Sequence, residues 1–248
     1  MINIKTQEEI ELIRASGRIA SKTLDYLATK IKPGITTEQL DQLGHQFILD
    51  NCAKPSPLNY RGYPKSLCIS INEEVVHGIP GKRRIKEGDI LTIDITVNKN
   101  GFHGDTARTF MVGNVSERAE KLVETTRKSM YLGINACKIG AYLGDIGATI
   151  QNYIESLGFS VVRNFVGHGI GRNFHEDPQV PFYGKKGTGL RLKEGMVLTI
   201  EPMINEGTWE VVILEDGWTS VTKDGLLSAQ FEHTIVITQD GPDILTLS

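Results

Sequence analysis

Four acids of this 248-residue chain lie inside apolar stretches that read as strands. Asp94 interrupts Leu91-Thr-Ile-Asp94-Ile-Thr-Val, and Glu201 interrupts Val197-Leu-Thr-Ile-Glu201-Pro-Met. Strand alternation puts Leu91, Ile93 and Ile95 on one face and Asp94, with Thr92 and Thr96, on the other. A carboxylate so placed is unfavourable unless something answers its charge. Asp105 follows on the next strand, after the hairpin signal Asn98-Lys-Asn-Gly101. With Lys99-Asn100 as the loop it faces Asp94 directly; with Asn100-Gly101 it lies diagonally on the same face. Glu232, in Ala229-Gln-Phe-Glu232-His-Thr-Ile, is the fourth acid in an apolar strand. Like charges opposed across strands repel, so converging carboxylates need a shared proton or a cation. Two divalent ions would neutralise the four. Oxygen donors with one imidazole suit Mn, Fe(II), Co or Zn, and bridging carboxylates can hold two ions about 3.5–4 Å apart.

Of the six histidines, His45, His103 and His233 are expected to be structural or surface residues. The others sit among glycines. His168 lies in Phe165-Val-Gly-His168-Gly-Ile-Gly171, after a strand, where glycines let the backbone approach a ligand. His175 opens His175-Glu-Asp-Pro178, which breaks any following helix and lacks the second histidine of a zincin motif. His77, in Val75-Val-His77-Gly-Ile-Pro80, starts a turn.

The elements that must position these groups are legible as well. Thr6-Gln-Glu-Glu9 is a capping box, followed by an apolar stripe of Ile10, Ile13, Gly17, Ala20, Leu24, Leu27 and Ile31 up to Pro33-Gly34. Thr36 caps a second helix and Ser116 a third, and a fourth is expected over 142–157. Strands are expected at 67–71, 89–97, 103–112, 160–164, 197–204, 211–214, 218–221 and 231–237. Ile85-Lys-Glu-Gly-Asp-Ile-Leu-Thr-Ile-Asp-Ile95 aligns with Leu192-Lys-Glu-Gly-Met-Val-Leu-Thr-Ile-Glu-Pro202, identical at six of eleven positions and bringing Asp94 onto Glu201. Lys32-Pro-Gly34 and Lys138-Ile-Gly140 repeat at nearly the same offset. The expectation is one α+β catalytic domain over 1–248, built of two similar halves, roughly 1–113 and 114–248.

Composition narrows the class further. Hydrophobic residues are 40% and charged ones 23%, ordinary globular usage. A net charge of -3 gives no global footprint for nucleic acid or an anionic membrane. Cys52, Cys68 and Cys137 are odd in number and form no C-x-x-C, which fits a reducing cytoplasm rather than a disulfide framework. The charged N-terminus is not expected to be a signal peptide.

At these residues the chain resembles the type I methionine aminopeptidases. The resemblance rests on Asn72-Glu-Glu-Val-Val-His-Gly-Ile-Pro80, the Asp94/Asp105 spacing, Gly167-His-Gly-Ile-Gly-Arg-Asn-Phe-His-Glu-Asp-Pro178, Thr199-Ile-Glu-Pro202 and Phe231-Glu-His-Thr234. It implies a pita-bread fold: two pseudo-symmetric αβ halves, with a curved, mainly antiparallel sheet covered by helices. The implied metal ligands are Asp94, Asp105, His168, Glu201 and Glu232. Asp105, His168, Glu201 and Glu232 would hold one ion, and Asp94, Asp105 and Glu232 the other. By the same resemblance, Glu201 is the general acid/base, His175 steadies the oxyanion and His77 meets the scissile nitrogen. Tyr60, Tyr63, Cys68, Phe174 and Trp218 line the methionine slot, with Pro57 at its edge and Arg61 between the tyrosines. The implied reaction is removal of N-terminal methionine ahead of a small second residue, from nascent chains in the cytoplasm, by a monomer that could dock on the ribosome. By the same resemblance a short bacterial-style form is expected, without the insertion of the type II enzymes or the zinc-binding extension of longer type I forms. The competing expectations are a proline-specific relative and a metal-free binding protein of the same fold.

Overall fold

The structure, a computed structural model, describes residues 2–248. The chain opens with α1 (Gln7–Ala28), whose N-terminus is closed by the Thr6/Glu9 box, and α2 (Thr37–Asp50), closed by a Thr36/Gln39 box. Then come β1 (Lys54–Pro55), a single 3-10 turn at Tyr60–Gly62, β2 (Cys68–Ile71), β3 (Glu74–Val76) and the long hairpin β4 (Ile90–Lys99) and β5 (Phe102–Met111). The second half repeats the order: α3 (Glu117–Ala136), capped by Ser116, α4 (Leu143–Ser156), β6 (Ser160–Val161), β7 (Gly167–Gly169), β8 (Glu176–Val180), β9 (Val197–Ile200) and β10 (Met203–Asn205). The chain ends with β11 (Val211–Ile213), β12 (Ser220–Thr222), β13 (Ser228–Gln230), β14 (His233–Thr238) and β15 (Gly241–Ile244).

Every ladder is antiparallel. β4 is flanked by β2, β5 and β1, while β9 stands between β14 and β7 in the order β15-β14-β9-β7-β8. The strands carrying Asp94 and leading to Glu201 are thus both interior. Two short sheets, β13-β10-β6 and β11-β12-β3, complete the wall. One core cluster gathers α1 and α2 residues with β2 and β4, among them Leu24, Leu40, Ile69 and Ile93. Another gathers Leu122, Ile150, Leu198 and Ile235 around α3 and α4. A third, with Ile13, Phe102, Ile170 and Val236, bridges them.

The internal repeat has a hydrogen-bonded counterpart. Gly34 N–H donates to Ile85 O, and Gly140 N–H donates to Leu192 O. Arg84 reaches the Gly34 carbonyl just as Arg191 reaches that of Gly140. Each pair is the other shifted by one repeat.

α1 lies unusually close to the hairpin. A Cβ on Gly104 would stand 2.4 Å from Gly17 N, so two glycines meet where helix and strand cross. The glycine in the apolar stripe is itself required by the C-terminal segment, since a Cβ on Gly17 would stand 2.5 Å from Leu245 O.

Three expectations need correction. α1 stops at Ala28, before Pro33-Gly34, with the Thr29 hydroxyl closing on the Tyr26 carbonyl at 2.7 Å; Ile31 packs from outside the helix. The strand expected over 197–204 breaks at Glu201-Pro202, where proline has no N–H for the ladder. The strand expected over 231–237 begins only at His233, and Phe231-Glu232 forms the gap after β13.

Candidate metal centre

The hairpin turn settles the relation of the two aspartates. Lys99 pairs with Phe102 and Thr96 with Asp105, so Asn100-Gly101 is the loop and Asp105 is diagonal to Asp94. Both loop residues have positive φ, 53° and 81°, as this twisted two-residue turn demands. Thr96 Oγ1 donates to Asp105 Oδ1 at 2.8 Å.

Glu201 and Glu232 occupy the two strand breaks, outside the named ladders. Thr199 Oγ1 donates to Glu201 Oε1 at 2.7 Å and accepts the backbone N–H of His168 at 2.9 Å. Gln230 Nε2 donates to Glu201 Oε2 at 3.3 Å. Glu232 is pinned by its own backbone: its N–H donates to Ala107 O at 2.9 Å and its carbonyl accepts Thr106 Oγ1 at 2.7 Å. Its Oε1 is buried and has no hydrogen-bond partner.

His168 sits within β7, at a bulge, rather than after a strand. Its glycine neighbours serve close packing of the sheet: a Cβ on Gly167 would meet Thr199 O at 2.5 Å and one on Gly169 would meet Asp177 O at 2.2 Å. His168 Nδ1 lies 2.9 Å from Gly169 O and can only donate to it, leaving Nε2 as the acceptor in the neutral ring. Nε2 faces Glu201 Oε1 at 3.7 Å and Asp105 Oδ2 at 4.0 Å. Donor atoms of Asp105, His168 and Glu232 lie within 4.8 Å of one another.

The electrostatics of this floor are those of a cation site. Burial, with the charges of Asp105 and Glu201, pushes the Asp94 carboxyl well above the usual range. Burial pushes Asp105 up to about 6, and burial with the Asp105 charge pushes Glu201 up to about 8. Glu232 rises strongly through burial and the neighbouring Asp105, Glu201 and Asp94 charges. His168 is lowered to about 4 by burial, which keeps its ring neutral and available as a ligand. Converging oxygens, one imidazole lone pair and an orphaned buried carboxylate oxygen fit a hard-to-borderline divalent ion.

A cavity of about 710 Å³ opens over this floor, and all the side chains expected from the sequence line it. His77 follows β3 with φ of 59°, edge-on to Phe165, its centroid 5.3 Å away. Burial lowers it to about 4. His175 Nδ1 lies 3.0 Å from the Tyr60 hydroxyl, and its ring stacks on Phe174 at 4.2 Å. Burial, then the charges of His168 and Arg61, holds His175 at about 3. Tyr63 meets Trp218 edge-on at 5.2 Å, with its hydroxyl tied to the Leu67 and Gly78 carbonyls. Cys68 lies opposite Asp94 in the β2–β4 register. Pro57, buried, and Arg61, exposed, also line the cavity, the guanidinium 5.3 Å above the Tyr60 ring. The remaining histidines bond elsewhere: His45 to Ser66, His103 to Gly171 O and His233 to Thr246.

The sequence reading missed the supporting hydroxyls and amide, Thr199, Thr106 and Gln230. Thr199 was within reach, because alternation puts it on the face of Glu201. Thr106 and Gln230 gave no local signal.

The chain belongs to metallopeptidase family M24, whose pattern matches residues 11–239. Within that class it is similar to methionine aminopeptidases. It is 55% identical over 247 residues to methionine aminopeptidase A of Synechocystis sp., covering 99% of this chain and 98% of the relative. The methionine aminopeptidase of Rickettsia prowazekii superposes with a TM-score of 0.98 at 50% identity, covering 100% of both chains. The fold is thus the pita-bread arrangement. A prolidase from Pyrococcus horikoshii OT3 shares it at a TM-score of 0.78 and 24% identity, with 99% of this chain covering 63% of that one. That likeness is one of fold alone.

Proposed function

We propose that this chain removes the N-terminal methionine from polypeptides by hydrolysing the first peptide bond, preferring a small second residue. The observation that carries the reading is the convergence of Asp105, His168 and Glu232, with Glu201 and Asp94, on the floor of one aromatic-walled cavity. Asp94, Asp105, His168, Glu201 and Glu232 would hold two divalent ions, drawn from Co, Mn, Fe(II) or Zn. When bound, such ions supply Lewis acidity and make water a nucleophile near neutral pH.

The chain's own residues do the rest. Glu201, held at both oxygens by Thr199 and Gln230, accepts the proton of the attacking water and delivers it to the leaving amine. In the tautomer this role needs, the Tyr60 hydroxyl, 3.0 Å from His175 Nδ1, donates to it, and Nε2–H is left to donate to the carbonyl oxygen as negative charge develops there. His77, neutral through burial, meets the scissile nitrogen. Tyr60, Tyr63, Cys68, Phe174 and Trp218, with Pro57 at the edge, form an apolar slot suited to an unbranched thioether. The reading extends to nascent N-termini as substrates in the cytoplasm, met by a monomer at the ribosome.

The test is methionine release from Met-Ala-Ser, Met-Lys-Ser and x-Pro peptides. Chelator-stripped protein would be assayed with Mn, Co, Fe(II) or Zn added back. Metal-dependent cleavage of Met-Ala-Ser, with Met-Lys-Ser and x-Pro peptides spared, is expected. Silence with every metal, in protein shown to be folded, overturns it.

A further inference from the structure

Lys5 lies outside the residues matched to the family, yet its side chain is 5% exposed and its Nζ lies 2.5 Å from Glu176 Oε2, itself on a side chain 5% exposed. Glu176 directly follows His175. Its other oxygen accepts the backbone N–H of Asn173 at 3.1 Å, closing a tight loop over 173–176 that presents Phe174 and His175 to the cavity. Asn3 Nδ2 adds a third donor at 3.1 Å. Lys5 is held in turn from its backbone, whose N–H donates to Gly195 O at 2.9 Å. The pair needs Gly171: a Cβ there would stand 2.5 Å from Lys5 Nζ. On the far side of the loop, His103 N–H donates to Gly171 O at 2.8 Å and its ring stacks on Phe174 at 5.9 Å.

We infer that Lys5 is a positioning residue for His175, acting through its buried ion pair with Glu176. The segment ahead of α1 thereby fixes the imidazole relative to the substrate carbonyl. A buried carboxylate stripped of its cation would seek water and draw the loop with it. Displacement of a catalytic group by about 1 Å can cost about 100-fold in rate. The inference rests on the role given to His175 above.

The test uses the metal-loaded full chain with Lys5→Met, Lys5→Arg and Glu176→Gln. Lys5→Met should lower kcat for Met-Ala-Ser by about 10–100-fold, with KM and metal content little changed. Lys5→Arg should recover most of the rate. In a His175→Ala background, Lys5→Met should cause no further loss. Amide exchange over 171–176 should quicken without change in α1 or α3. If Lys5→Met fails to fold, Glu176→Gln is read in the same ways. Wild-type kcat in a folded Lys5→Met, an undiminished further loss in the His175→Ala background, or faster exchange throughout the molecule would overturn the inference. If the unmodified protein releases no methionine, the functional reading fails by itself, and exchange at 171–176 still decides whether Lys5 holds the loop.

Discussion

Thr234 and Asp105 exchange two hydrogen bonds through one hydroxyl. Asp105 N–H donates to Thr234 Oγ1 at 3.1 Å, and Thr234 Oγ1 donates to Asp105 O at 2.8 Å. A side chain from the second half thus stands in for a strand partner of the first, beside a candidate ligand. Thr109 makes the same exchange with Gln230, accepting its N–H at 3.0 Å and donating to its carbonyl at 2.7 Å, and Thr106 donates to the Glu232 carbonyl. The halves are sewn together by threonine hydroxyls at the place where the acids meet.

Thr234→Val keeps the shape and leaves the Asp105 N–H and C=O unpaired in a fully buried setting. Each orphaned group costs about 1–3 kcal/mol. Urea unfolding should show a loss of about 2–4 kcal/mol, with weaker metal retention. A change within experimental error would mean that the pairing is dispensable.

Glu201→Gln keeps an acceptor for Thr199 while removing the carboxylate proposed as both ligand and base. Turnover of Met-Ala-Ser should fall by at least about 1,000-fold, in the range of general acid/base catalysis. A residual rate above a tenth of the original, with metal bound, would place the base elsewhere.

The acids were readable because their placement violates strand chemistry and an internal repeat puts two of them in register. The register of Asp105 was ambiguous between two loops, although the positive φ at both loop positions disfavours a lysine there and favours Asn100-Gly101. The break at Pro202 had a local signal, the missing N–H. The break at Glu232 had none, because it is enforced by Ala107 from the other half. β7 and β8 were hidden by glycines and Pro178. Lys5 was invisible for a different reason: its partner lies 171 residues away, and nothing in the local sequence marks a lysine that will be buried.

His175 and His168 lie close, centroids 4.3 Å apart, yet they should separate cleanly by substitution. His168 offers Nε2 to the acid floor, whereas His175 is bonded to Tyr60. His175→Ala should lower kcat by about 100–1,000-fold with metal content retained. His168→Ala should lower metal content itself. Elemental analysis beside kinetics decides; an emptied site in His175→Ala would reverse the assignment.

Metal removal should make stability fall with rising pH. In the metal-free chain the Asp94, Asp105, Glu201 and Glu232 carboxyls have folded pKa values above their unfolded ones, with Asp105 at about 6 and Glu201 at about 8. The folded state then binds more protons than the unfolded one. That stabilisation is complete below the unfolded values and is lost as pH rises through the folded ones. The histidines act oppositely. His77, His168 and His233 lowered to about 4, and His175 to about 3, contribute fully above the ordinary histidine range and lose that contribution as pH falls from about 6.5 toward 4. About one unit above the ordinary histidine value that contribution is complete, and the raised carboxyls, joined toward higher pH by the buried thiols of Cys68 and Cys137, which burial also raises, set the slope. Between about pH 7.5 and about 8.5, Tm of chelator-treated protein should fall while that of metal-loaded protein stays nearly level, because bound cations answer the charge that protons answer otherwise. Parallel melting curves across this window would mean that the four carboxylates are not what the metal neutralises.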